Sequence, residues 1–233
     1  MAKRPVFIVD TESLDYYLTK EVQFTWHPGY SISQKRKSIQ SLHNNCIGSI
    51  ENKKILEVSS KSENPLGIML SAFNLLINHS EEGLIPLECA FQASKKFEFG
   101  GPFIDLLVAN PYKIKKDNRL KNSGEIKEFI YDGKSYPNKP TTLFYNWLYL
   151  KALDLDKRLS SEIIKYDAFT DIEFNPKKSV NCQAKSCALY VSLHKRGLLE
   201  KALLTSENFN DILINVENFD RNNLKNIQVK LEL

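Results

Sequence analysis

The sequence predicts an α+β fold, mostly helical and in a single domain, with a small β-sheet supplied by its early strands. Three observations carry that prediction. Short β-branched and aromatic runs, PVFIVD (5–10), EVQFTWHP (21–28) and KKILEVSS (53–60), lie near the start of the chain, and each stops at polar or Pro/Gly punctuation. Beyond them apolar residues recur at helical spacing in PLECAFQASKKFE (86–98), in LFYNWLYLKAL (143–153) and from Asn181 to Arg196, where Gly197 follows as a C-cap residue should. Composition is ordinary, with 42% apolar and 26% charged residues and only 9 Gly and 9 Pro, which argues against a disordered or fibrous chain.

Residues 1–50 read as a leading αβ layer packed on a main domain of residues 51–233. After its two strands, SISQKRKSIQSLHNNC (31–46) offers Ser31 as a cap and Ile32, Ile39 and Leu42 as an apolar face, which predicts a helix. SKSENPLG (60–67) predicts a turn-rich loop. In 86–98, Pro86 suits the first helical turn, where its missing N–H costs nothing. Leu87, Ala90, Phe91, Ser94 and Phe97 then form an inward face, and Glu88, Gln92 and Lys95 stack on an adjoining one. Glu88 is there either a favourable charge at a helix N-terminus, worth roughly 0.3 to 1 kcal/mol, or one wall of a site. Phe144, Trp147, Leu148 and Lys151 repeat at helical spacing after PNKP (137–140), and a Trp in such a stripe is ordinarily core. YDAFTDIEFNP (166–176) gathers Asp167, Asp171 and Glu173 in a connecting segment closed by Pro176, and LLEKALLTSENFNDILIN (198–215) predicts a closing helix pair or one bent helix.

Several function classes lose support at this level. The four cysteines, Cys46, Cys89, Cys182 and Cys187, form no CxxC pair, and the four histidines are scattered, so no metal site is expected. No apolar run is long enough to cross a membrane and no export signal is apparent, which makes a cytoplasmic protein with reduced thiols the expectation. Net charge is only +4, yet basic residues cluster in SQKRKS (33–38), KIKKDNRLK (113–121) and NPKK (175–178). Such clusters suit a phosphate backbone or a diphosphate as well as they suit solvated surface.

The order LSAFN (70–74), ECAFQASKKF (88–97), a helix with Trp147, AFTDIEF (168–174) and NCQAKSCALYV (181–191) resembles the NADAR family. That family's pattern has a Leu-Ser-Asn-Phe element, a Glu-His-Tyr-x-Gln-Ala-x-Lys helix, a Trp helix and an acidic segment before an Asn-x-x-Gly-x-x-Leu helix. SQKRKSIQSLH, EVSSKSENPLG and YDAFTDIEFNPKKSVNCQA are similar, more narrowly, to the DarT-associated NADAR antitoxins, so the likeness covers nearly the whole chain. It departs from the wider pattern at Ala72, at Cys89 and Ala90, and at Ala184, where the family has Asn, His and Tyr, and Gly. These departures weaken a riboflavin-pathway substrate more than an ADP-ribosylated one.

The resemblance implies a catalytic domain that removes ADP-ribose from ADP-ribosylated guanine in DNA, releases ADP-ribose, and reverses a cognate DarT-type toxin, with no cofactor. Scission of a C–N bond at the anomeric carbon builds positive charge on the ribose, so a carboxylate beside that carbon stabilises the transition state, and a second group must manage protons. By the resemblance Glu88 and Asp171 are that pair, and Lys61 is an amine able to capture a ring-opened ribose as an imine. It also implies ligand-binding roles for Trp147, which would stack on a base, for Ser71, Phe73 and Asn74, which would form the pocket floor, and for Gln92 and Asn181. Three other readings stay open: an N-glycosidase on a riboflavin-pathway or other nucleotide-like molecule, a noncatalytic binder of ADP-ribose or of the toxin, and a plain DNA-binding protein.

Overall fold

Alternation along the first strands sets up two layers. In the computed structural model, which describes residues 1–13, 15–47, 50 and 53–214, β1 (Ala2–Val9) pairs antiparallel with β2 (Tyr17–Phe24), from Ala2↔Phe24 to Val9↔Tyr17. Successive residues face opposite sides. Val6 and Ile8 therefore pack with Val22 and Phe24 against Ile39, Leu42 and Cys46 of α1 (Ile32–Ile47), whereas Phe7 joins the larger core on the side of α7 (Gln183–Lys195).

The early strands do not close a sheet by themselves. β9 (Ala168–Thr170) runs antiparallel to β1 and parallel to β3 (Ile55–Glu57), giving the order β2-β1-β9-β3. The acidic segment predicted as a connection thus begins as a central strand. All three residues of β9 are buried, and so short an apolar run carries no period to read. Two more sheets lie outside the predicted set: β4 (Leu76–His79) with β5 (Gly83–Pro86), and β6 (Lys95–Phe97), β7 (Ile126–Tyr131) and β8 (Lys134–Pro137) in that order.

α3 (Leu87–Ala93) is shorter than the predicted 86–98, and every residue in it is buried. At Ser94 the carbonyl accepts the N–H of Ile130 at 2.7 Å, and Lys95–Phe97 continues as a strand along β7. A helix covered on all sides has no solvated face. Glu88 and Gln92 are accordingly interior residues, 4% and 5% exposed.

The predicted loop 60–67 ends in α2 (Pro65–Met69), where Asn64 caps the helix by accepting the Leu66 N–H at 2.9 Å and Pro65 occupies the first turn. A short α4 (Arg119–Asn122) precedes β7. α5 (Leu143–Leu155) crosses the main core with all but its last turn largely buried, and Asp156 starts α6 (Lys157–Ile163) by accepting the N–H groups of Arg158 and Leu159. α8 (Leu199–Leu204) and a helix over 206–214 form a closing pair, while residues 215–233, the end of the predicted main domain, lie outside the described residues. No helix among the described residues is long and apolar enough to cross a membrane.

Candidate active site

Three pieces of chain meet at a cleft of about 300 Å³: the turn at 70–74, α3, and the segment from Asp171 into α7. The backbone of Ala72 joins them. Its carbonyl accepts the Glu88 N–H at 2.9 Å, its own N–H donates to Gln183 Oε1 at 2.5 Å, and Gln183 Nε2 donates to Asp171 Oδ2 at 3.1 Å. Position 72 works through main-chain groups, which is why alanine serves there.

Glu88 projects from the first turn of α3 into the cleft, where its Oε1 accepts Gln92 Nε2 at 2.8 Å and lies 3.2 Å from Lys115 Nζ. Gln92 Oε1 in turn accepts Lys95 Nζ at 2.6 Å, so a hydrogen-bonded file of Lys95, Gln92 and Glu88 lines one wall. Burial pulls the Lys95 ammonium down to about 8, against the pull of Glu88 and with the help of Lys115. At neutral pH roughly one Lys95 in ten then carries a neutral amine.

Asp171 also lines the cleft, 6% exposed, directly after β9. Its Oδ1 accepts the N–H groups of Glu173 and Phe174 at 3.0 and 3.2 Å. Burial and, after it, the nearby Glu57 push its carboxyl up to about 7, which outweighs the hydrogen bonds that favour the charged form. Glu57 is itself buried, and its carboxylate accepts the Ile172 N–H at 2.8 Å and the Thr170 hydroxyl at 2.6 Å. Since the Thr170 proton is committed to Glu57, His43 Nε2, 2.8 Å from Thr170 Oγ1, is the donor in that contact. Burial lowers His43 to about 4 and keeps its ring neutral.

Of the residues expected at the site, Glu88, Gln92, Phe73, Asp171 and Asn181 line this cleft. The Asn181 Oδ1 is buried and has no hydrogen-bond partner among the described residues. Phe73 stacks on Tyr112 at 4.8 Å and lies under Lys115. Four expected residues do not line it. Trp147 is the clearest correction: Tyr145 of α5 faces the cleft, whereas Trp147, Leu148 and Lys151 fall on another side of the helix. They line a larger cavity of about 480 Å³, where Trp147 packs on Tyr136 at 5.3 Å and Lys151 sits over its ring. Ser71 and Asn74 build the turn instead of the floor, Ser71 through its carbonyl and Asn74 by bridging Ile68 O and the Tyr112 hydroxyl. Lys61 is half-buried in the loop before α2, with its N–H on Ser59 Oγ.

The larger cavity brings no pair of buried acids together, and perturbed, converging titratable groups are the better mark of chemistry. Gln183, Lys115, Tyr145 and Glu57 were missed at the sequence level. Lys115 sits in a run of lysines with nothing to single it out, and Glu57 in an ordinary strand pattern; Gln183, two residues after Asn181, falls within NCQAKSCALYV, where it could have been found. Among the described residues no group of three or more His, Cys, Asp or Glu is placed to hold a metal ion.

The sequence pattern of a family described as DarT1-associated NADAR antitoxin matches residues 2–223. A comparison with curated proteins finds no match to this chain.

Proposed function

The chain belongs to the DarT1-associated NADAR antitoxin family, and from that premise we propose that it removes ADP-ribose from ADP-ribosylated guanine bases in DNA, cleaving the ribose–base N-glycosidic bond and so undoing the product of its cognate toxin. The observation that carries the reading is that two buried acids from distant parts of the chain, Glu88 and Asp171, line one cleft. Asp171, raised to about 7, holds a proton that the guanine nitrogen can take as it leaves. Glu88, whose Oε1 faces the Gln92 amide and the Lys115 ammonium, presents a carboxylate to the ribose as positive charge develops there, and orients the incoming water. Asn181 Oδ1 is an unpaired acceptor for a ribose hydroxyl. Lys115 suits the diphosphate.

A cleft of this size takes the ribose and its neighbours, not a base still stacked in a duplex. The modified base is therefore taken from a single strand or flipped out of the helix. Capture of the ring-opened ribose by a lysine is the covalent form of the same reaction: a neutral amine adds to C1″ of the opened sugar, the protonated guanine nitrogen leaves that carbon, and water then hydrolyses the lysine imine to ADP-ribose and the free amine. Lys61 is the amine that the resemblance suggests, and Lys95 the one that burial within the cleft favours.

One assay tests these roles together. Released ADP-ribose is measured from an ADP-ribosylated guanine oligonucleotide, with and without borohydride, using wild type, Glu88→Gln, Asp171→Asn, Lys61→Ala and Lys95→Ala. Each carboxylate variant should slow release by about 10²-fold or more. Equal release by wild type and both carboxylate variants, or none by wild type, rejects the glycosidase. A reduced adduct lost in one lysine variant assigns the amine to that residue, and the absence of any adduct removes the imine while leaving the carboxylates.

A further inference from the structure

Behind Glu173, on the outer side of the cleft, stands a cation cluster drawn from the first 50 residues. Lys35 Nζ pairs with Glu173 Oε1 at 2.9 Å and lies 4.7 Å from the centre of the Trp26 ring. The Arg4 guanidinium is 5.5 Å from the same ring, and Arg4 Nε donates to Ile172 O at 3.4 Å. Trp26 thus holds two cations in fixed positions, and of the two only Lys35 has an acidic partner within ion-pair distance among the described residues. Neither cation lines the cleft; Lys35 is held by Glu173, and Arg4 is left without an acid at ion-pair distance among the described residues.

The surrounding sequence extends the same sign of charge. No Asp or Glu occurs between Glu21 and Glu51, while Lys35, Arg36 and Lys37 follow one another in α1. None occurs between Glu173 and Glu200, and Lys177 and Lys178 are exposed on the loop that brings Ser179 and Asn181 to the cleft. Tyr30, just before α1, is wholly exposed. A basic strip with interleaved aromatics beside a site for a modified base has the footprint of a surface that tracks phosphates.

We infer that the strip formed by Arg4, Trp26, Lys177 and Lys178, tied together by the Lys35–Glu173 pair, is the track for the DNA strand that flanks the modified base. This rests on the proposed reaction. The leading αβ layer then acts as a strand-binding edge added to the cleft: it sets affinity for DNA while the chemistry stays with the buried acids. Phosphates on the strip release counterions, so binding weakens as salt rises.

The experiment compares wild type with a Lys177→Glu/Lys178→Glu variant, both positions being exposed and outside the cleft lining. Fluorescence anisotropy reads binding to an unmodified single-stranded oligonucleotide across a salt series. ADP-ribose release is measured from a modified oligonucleotide and from the ADP-ribosylated guanosine mononucleotide. The variant should bind the oligonucleotide at least tenfold more weakly, with a salt slope flatter by about 0.7 for each phosphate that the strip no longer neutralises. Its kcat/KM should fall on the oligonucleotide and stay unchanged on the mononucleotide. Unchanged oligonucleotide binding, or an equal loss on both substrates, overturns the track. If wild type cleaves neither substrate the reaction itself fails, and the anisotropy measurement still decides whether the strip binds DNA.

Discussion

Asp171 and Glu57 occupy one buried neighbourhood in which two negative charges oppose each other, and burial raises both. Of the two, Asp171 reaches the cleft, and in the proposed reaction the field of Glu57 would keep a proton on that acid. General-acid activity should then decline as pH climbs through about 7. Glu57→Gln removes the opposing charge and should move that decline to lower pH; a pH–rate profile with an unmoved limb would refute the coupling. Stability has the same sign. Unfolded Asp171 ionises near the usual carboxylate value while the folded form still binds its proton, so stability falls with rising pH between about 4 and 7. Glu88 and Asp171 were readable as candidates only through the order of motifs. Their burial was not, because an acid in the first turn of a short helix or just after a short strand has the same local pattern whether it faces water or a cleft.

At the scale of elements, the site depends on β9, α2 and α3 more than on the helices with the strongest sequence signals. The helices over 143–155 and 183–195 were legible from spacing and from Gly197. β9 was not, since it is buried throughout and too short to show alternation, and for α3 the helix was legible while its early end at Ala93 and its burial on every side were not. The turn between β7 and β8 did carry a signal: Asp132 and Gly133 both take positive φ, +49° and +70°, as a two-residue hairpin demands. α2 packs its Gly67 so closely on β3 that an added Cβ would stand 1.9 Å from the Glu57 carbonyl oxygen. Gly67→Ala should destabilise the protein by about 2 kcal/mol, which for a chain this long is a drop of roughly 4 to 8 °C in Tm. An unchanged melting curve would mean that α2 does not need this close approach.

Over the whole molecule, β1 hydrogen-bonds to β9, so the first residues of the chain help to fix the strand that delivers Asp171. Sheet, α3 and α7 thereby bring distant sequence positions to one cleft, while an aromatic ladder of Phe91, Phe129, Phe144, Tyr136 and Trp147 connects it to the cavity on the other side of α5. Either end of that ladder has room for part of a nucleotide, and among the described residues the cleft, unlike that cavity, is lined by two buried acids. A crystal structure with ADP-ribose bound separates them. The account predicts the ribose in the cleft, with carboxylate oxygens of Glu88 and Asp171 roughly 3.5 Å from C1″ or from a water poised on it. ADP-ribose seated beside Trp147 and Lys151, with both acids remote from the sugar, would contradict it.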